Sequence, residues 1–180
     1  IKEQFYSART DEDMTQPFQL QPSLSLVANK LRIAAMLAND VIYQEENRDG
    51  LSSGVELFVA HFENNELTWI QSGQPNIFLI RNNQTCTPLS AQHDLSLDFS
   101  ESEQNLAPLP GNLLGVSPTS RTEIQSLRTQ AGDKILLLAR SQTPQGIYNL
   151  SQHSTDLDDL TKTISSENPL SPFWIGSLEL

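Results

Sequence analysis

The sequence predicts an α+β fold built on antiparallel sheets. Three observations lead there. One long, Ala-rich amphipathic helix stands near the start of the chain. Short runs of aliphatic, aromatic and β-branched residues follow it, joined by turns of a few residues. The βαβ crossovers that a parallel sheet requires are absent. The 180 residues are enough for one domain with its own core, and neither an internal repeat nor a second domain stands out.

Residues 1–22 form a polar N-terminal segment with an acidic knot at Asp11, Glu12 and Asp13. Residues 23–45 carry the helix. Leu24, Val27, Leu31, Ala34 or Ala35, Ala38 and Val41 or Ile42 recur at helical spacing, and Ser23 after Pro22 suits its start. Lys30 and Arg32 are expected to face solvent. ENRDGLSSG at 46–54 breaks the helix. VELFVAHF then alternates with both faces largely apolar, which suits a strand with another sheet on one side and helices on the other.

Glu63-Asn64-Asn65-Glu66 reads as a hairpin turn, LTWIQ as the next strand, SGQPN as a turn and IFLIR as a third strand. NNQTC turns again towards TPLSAQ, so an antiparallel meander is expected. Residues 90–120 read as a long loop region, with Leu106, Leu109, Leu113, Leu114 and Val116 as anchors. Ala131-Gly132-Asp133-Lys134 makes a tight turn into ILLLAR, a central strand. SQTPQGIYN reads as a second loop. Thr155 with Asp158 is a candidate capping box for a short helix through Leu157, Leu160 and Ile164. SPFWIGSLEL closes the chain as a strand, and Phe173 with Trp174 is either core or a binding anchor.

Net charge is −11, and the 11 Lys and Arg are scattered. That balance argues against nucleic acid and against anionic membranes. It suits a divalent cation or a basic partner protein, and it serves solubility. No stretch is apolar enough to cross a bilayer, and no signal peptide is visible. A cytoplasmic location is expected, with a removed leader left open because the chain starts at Ile1. Cys86 is alone, so neither an internal disulfide nor a cysteine zinc site is available.

His61 lies inside a strand, and His93 and His153 lie outside the predicted elements. Asp94 is next to His93, but neighbours on an extended chain point apart. No GxSxG occurs, and DGLSSG lacks both the GxGxxG order and a P-loop lysine. Asp156, Asp158 and Asp159 suit a helix start. Hard divalent ions need carboxylates from several elements converging on one point. The ends of the best strands carry Gln74, Asn76, Ser141 and Gln142 instead.

Several stretches together resemble the metal-dependent Ser/Thr protein phosphatases of the PPM (PP2C-like) family. LAND at 37–40 is similar to that family's Ala-Asn helix end. DGLSSGVELFVAHF is similar to its Gly-x-Gly-Thr-Thr segment and strand, and NNELTWIQSGQPNIFLIRN to the hairpin whose turn normally reads Gly-Asp-Ser-Arg. LSAQHDL resembles the Thr-x-Asp-His stretch, NLLGVSP the Leu-Gly motif, and AGDKILLLARSQTPQG the segment ending in Ser-Asp-Gly. They cover roughly residues 24–145 in family order.

The resemblance implies a four-layer αββα sandwich, reduced at the N-terminal part, and the activity of a Mn- or Mg-dependent phosphatase. The departures from it are systematic. Gly-Asp-Ser-Arg is Gly73-Gln74-Pro75-Asn76 here, and Ser-Asp-Gly is Arg140-Ser141-Gln142. The Asp-Gly-x-Gly-Gly segment has no counterpart, since the chain from Asp13 to Pro22 is too short to hold it. The closing Asp-Asn is missing around Asn168 to Pro172. Only Arg9 with Glu12 and Asp13 resembles the family's N-terminal Arg and Asn-Glu-Asp group, one residue short in spacing. The expectation is a pseudophosphatase: no catalytic residues, no metal ligands, no cofactor, and a protein partner. The alternatives are an active phosphatase with displaced or missing ligands, which would use Mn or Mg, and a soluble domain with an unrelated binding role.

Overall fold

The computed structural model describes residues 18–81, 85–90, 95, 111–139, 143–150, 156–167, 169–170 and 172–180. In order, these contain helix α1 (Leu26–Ile42) running into a π turn (Tyr43–Asn47). Then come strands β1 (Leu57–Glu63), β2 (Glu66–Ser72), β3 (Asn76–Ile80), β4 (Thr87–Ser90), β5 (Glu123–Arg128) and β6 (Lys134–Ala139). Helices α2 (Gln145–Tyr148) and α3 (Leu157–Glu167) follow, and β7 (Trp174–Glu179) is last. The fold is α+β, with two antiparallel sheets: β1-β2-β5 and β4-β3-β6-β7.

The chain falls into two compact units, one of residues 1–73 and 112–128, the other of 74–111 and 129–180. In the first, α1 begins at Leu26, three residues after Ser23. Ser25 is its cap, and the Ser25 hydroxyl accepts from the Ala28 N–H at 3.2 Å. Leu31, Ala34 and Ala35 face Ile70, with Val27, Leu57, Val59 and Ile124 packed around them. The register explains the match, because Val59, Ile70 and Ile124 are cross-strand neighbours on one face. Burying Leu31 there is worth about 2 kcal/mol.

Lys30 departs from expectation: it is buried, at 8% exposure, and Arg32 is half-buried with a guanidinium N–H donating to the Gln19 carbonyl. The chain before α1 folds back onto the helix at Asn29 and Arg32. Asn29 fastens that segment. Its Oδ1 accepts from the Gln21 N–H at 2.8 Å, and its Nδ2 donates to the Gln21 carbonyl at 2.9 Å.

The β1–β2 hairpin is as expected. Asn64 and Asn65 both have positive φ, 53° and 59°, as a two-residue primed turn requires. The meander ends there. β2 and β3 belong to different sheets, so SGQPN is a crossing segment and not a hairpin turn. Each strand is central and already bonded on both edges, β2 to β1 and β5, and β3 to β4 and β6, which leaves no edge for the other. β1 is half-buried, an edge strand rather than a doubly covered one.

In the second unit, Phe78, Ile80, Leu136 and Leu138 pack with Ile147, Leu150, Leu160 and Ile164 from the helical segments. Ile77, Leu79 and Ile135, on the opposite face of the same strands, are buried as well. Two elements differ from the sequence reading. Gln145–Tyr148 is a short helix where a loop was expected, and Glu123–Arg128 is a strand where none was assigned. The closing strand is present as β7.

Candidate functional site

The segment from Ser72 to Asn76 is fixed by its backbone neighbours. Gly73 has φ +73°, and a Cβ there would stand 3.0 Å from the Glu56 Cγ and 3.2 Å from the Asn112 carbonyl. The Ser72 hydroxyl donates to the Asn112 carbonyl at 3.3 Å, and the Gln71 amide donates to the Gly73 carbonyl at 3.1 Å. Only glycine fits this bend without strain. Gln74 and Asn76 follow it and are both buried.

Asn76 opens β3 directly opposite Leu138, near the end of β6. Its Nδ2 donates to the Thr143 hydroxyl at 3.3 Å. The structure therefore brings the start of β3 to the segment that follows β6, the two places singled out from sequence. Ser141 and Gln142, between them, lie outside the described residues, as do Arg9, Glu12 and Asp13.

The groups on view at this bend are amides, hydroxyls, the Asn112 carbonyl and a single carboxylate, Glu56, whose Oε1 lies 3.2 Å from where a Gly73 Cβ would stand. Neutral oxygens can complete a shell around a divalent ion but cannot offset the charge of two. Among the described residues, no three His, Cys, Asp or Glu side chains gather as a metal site would require. The groups seen at this bend do not fit a pair of metal ions.

One buried carboxylate stands in the same unit, and it is already saturated. Asp133, 1% exposed, accepts from Arg81 Nε at 2.9 Å through Oδ1. Its Oδ2 accepts from Arg81 Nη2 at 2.7 Å and from the Gln130 N–H at 2.9 Å. The Arg81 hydrogen bonds hold the Asp133 carboxyl below the usual carboxylate range. Burial works against them, and the Gln130 N–H adds to them. This pair staples the β6 entry turn to the end of β3. Sequence reasoning missed it, since 52 residues separate the partners.

Cys86 is buried, and burial pushes its thiol up to about 11, so it carries almost no thiolate near neutral pH. His61 is half-buried in β1, opposite Thr68, while His93 and His153 lie outside the described residues. Asp156, ahead of α3, accepts from the Asp158 N–H at 3.3 Å, a helix-start role.

LAND, DGLSSG and NLLGVSP meet in a structural clasp, while most of LSAQHDL lies outside the described residues. Asn39, from LAND, accepts from the Gly115 N–H at 2.8 Å and donates to the Ser117 carbonyl at 3.0 Å. Asn47 donates to the Gly115 carbonyl at 2.7 Å and to the Ser53 carbonyl at 2.6 Å. Its Oδ1 accepts from the N–H groups of Ser52 and Ser53 at 2.6 and 2.9 Å. The Ser52 and Ser53 N–H groups of DGLSSG are thus satisfied internally, as is that of Gly50, which donates to the Asn47 carbonyl at 3.3 Å.

The two antiparallel sheets and their helices define the fold of the PPM, or PP2C-like, Ser/Thr phosphatases. Solved structures share it. PppA, a key regulatory component of T6SS in Pseudomonas aeruginosa, superposes with a TM-score of 0.62 at 15% identity, over 91% of this chain and 75% of that one. The Mycobacterium tuberculosis serine/threonine phosphatase PstP/Ppp gives 0.56 at 14%, over 99% and 80%. The catalytic domain of PstP in complex with two manganese ions gives 0.52 at 16%, over 97% and 78%. No family model matches the sequence, and no curated protein matches it.

Proposed function

We propose that this chain is a single PP2C-like domain that has lost catalysis and acts by binding, and so regulating, a protein partner. One observation carries the reading. The bend that holds an aspartate in the Gly-Asp-Ser-Arg turn of the family holds buried, neutral Gln74 and Asn76, and Asn76 is spent on a hydrogen bond to Thr143. Two-metal hydrolysis needs anionic ligands to seat the ions and generate a metal-bound nucleophile. The positions equivalent to Ser-Asp-Gly, at Ser141 and Gln142, are neutral by sequence, and no Asp-Gly-x-Gly-Gly segment exists to supply the bridging acid. PppA, described as a regulatory component, is a fold neighbour and supports a regulatory role.

The second reading is an active Mn- or Mg-dependent phosphatase whose acids stand elsewhere. The PstP catalytic domain with its two manganese ions favours it. Titration calorimetry with MnCl₂ separates the two. The binding reading predicts no saturable uptake at micromolar metal. Uptake of two Mn²⁺ per chain would establish the second.

A further inference from the structure

Asp49-Gly50 is the one place in the 180 residues where glycine follows Asp or Asn. At such a pair a backbone nitrogen reaches the preceding side-chain carboxyl most readily. Glycine puts no Cβ beside the nitrogen and leaves the backbone free to turn. Folding can suppress this by holding the amide in a hydrogen-bonded ladder or by burying the side chain. Neither happens here. Asp49 and Gly50 are exposed and lie in the bend after the π turn, outside every helix and strand described. The Gly50 N–H donates to the Asn47 carbonyl at 3.3 Å, beyond the usual range of about 2.7–3.2 Å. Apart from its chain neighbours, no described atom lies within 4 Å of where a Gly50 Cβ would stand.

The pair stands inside the clasp, with both of its flanks fastened. On one side, buried Asn47 donates to the Gly115 carbonyl at 2.7 Å. On the other, the N–H groups of Ser52 and Ser53 donate to the Asn47 Oδ1 at 2.6 and 2.9 Å. The Asn47 side chain thus closes a loop of main chain from 47 to 52, and Asp49-Gly50 is its free span. The length of that span decides whether one amide can hold both ends.

We propose that Asp49 is a self-modifying site, at which the folded chain forms isoaspartate and so loosens the Asn47 clasp. The Gly50 nitrogen attacks Asp49 Cγ and a C–N bond forms. One carboxylate oxygen leaves as water, taking the nitrogen's proton and a second proton from solvent, and a cyclic succinimide remains. Water then adds to either carbonyl carbon of the ring, and the C–N bond at that carbon breaks. Opening at Cγ returns aspartate. Opening at the main-chain carbonyl carbon leaves Gly50 bonded to Cγ, which is isoaspartate. The water lost is the water regained, so the net change is an isomerisation. The main chain now runs through Cβ and Cγ, longer by one carbon–carbon bond of about 1.5 Å. Asn47 can no longer meet Ser52 and Ser53 at their present distances. This inference is independent of the binding role proposed above.

The test ages the full folded chain at neutral pH and physiological temperature, beside a capped synthetic peptide of residues 47–56. Cleavage after Glu46 and Glu56 releases the same residues from the chain. Isoaspartate is read as a second chromatographic peak of unchanged mass that accepts a methyl group from a protein isoaspartyl O-methyltransferase. Expected is formation in the folded chain within about tenfold of the peptide rate, a barrier difference under about 1.4 kcal/mol. Amide exchange at Ser52 and Ser53 should be faster by about tenfold or more in the isomerised fraction than in fresh protein. Asp49→Glu, whose ring would be larger and slower to close, should age without either change. A folded-chain rate slower than that limit overturns the proposal. So does isomerised protein whose Ser52 and Ser53 exchange falls short of that acceleration, or the same loss of protection in aged Asp49→Glu.

Discussion

Gly115→Ala should unfold the first unit's clasp, and its cost follows from the geometry. Gly115 has φ +85°, a region that costs an L residue about 1–2 kcal/mol. The new methyl would stand 2.2 Å from Ile42 Cγ2 and 2.9 Å from Ile42 Cβ, where carbon pairs rest at about 3.5–4.0 Å. The loop has little freedom to retreat. Its N–H and carbonyl are held by Asn39 and Asn47, and Leu114 exchanges two bonds with Val55 at 2.9 and 3.0 Å. Overpacking of this kind costs about 1–3 kcal/mol. The sum is about 2–5 kcal/mol, against a typical total of about 5–15. Urea unfolding of the variant measures it. Ile42→Ala in the same chain should return part of the loss, with a coupling of about 1 kcal/mol or more in the double-mutant cycle. A Gly115→Ala loss below about 0.5 kcal/mol would refute the reasoning.

Three further outcomes are expected. Arg81→Ala strands a buried carboxylate and should cost about 3–5 kcal/mol. The native pair also sets a pH dependence. The Asp133 pKa is lower in the folded chain than in the unfolded one, so its contribution is complete above about pH 5 and is lost as pH falls through the lowered value. Urea midpoints between neutral and acid pH should fall more steeply in the native chain than in Arg81→Ala, and parallel curves would contradict this. Cys86 should resist a thiol reagent such as DTNB at neutral pH until urea unfolds the chain, and rapid labelling of the folded chain would contradict its burial and raised pKa.

What was legible in the sequence was local. Asn64-Asn65 announced a primed turn because few residue types accept two positive φ angles in succession. The Ala-rich stripe of α1 and the run Ile135–Leu138 announced burial through spacing and composition. Non-local choices were hidden. Nothing in SGQPN says that β2 and β3 part into different sheets, since that depends on β5 and β6 taking the edges they would otherwise share. β5 was missed because EIQSLR has only Ile124 and Leu127 to mark it, and they do not alternate. The burial of Lys30 is a tertiary effect that helical spacing does not reveal. The bend itself was legible from Gly73, Pro75 and Asn76 between two apolar runs. The Asn76–Thr143 bond and the Arg81–Asp133 staple were not, because they span 67 and 52 residues.

The claim on which the account turns is that neutral side chains replace the acids that two-metal hydrolysis requires. Hydrolysis of p-nitrophenyl phosphate with Mn²⁺, measured beside a metal-free sample of the same chain, tests it most directly. Identical rates are expected in the two samples, both at the uncatalysed background. Turnover that appears with manganese and vanishes when it is chelated would contradict it.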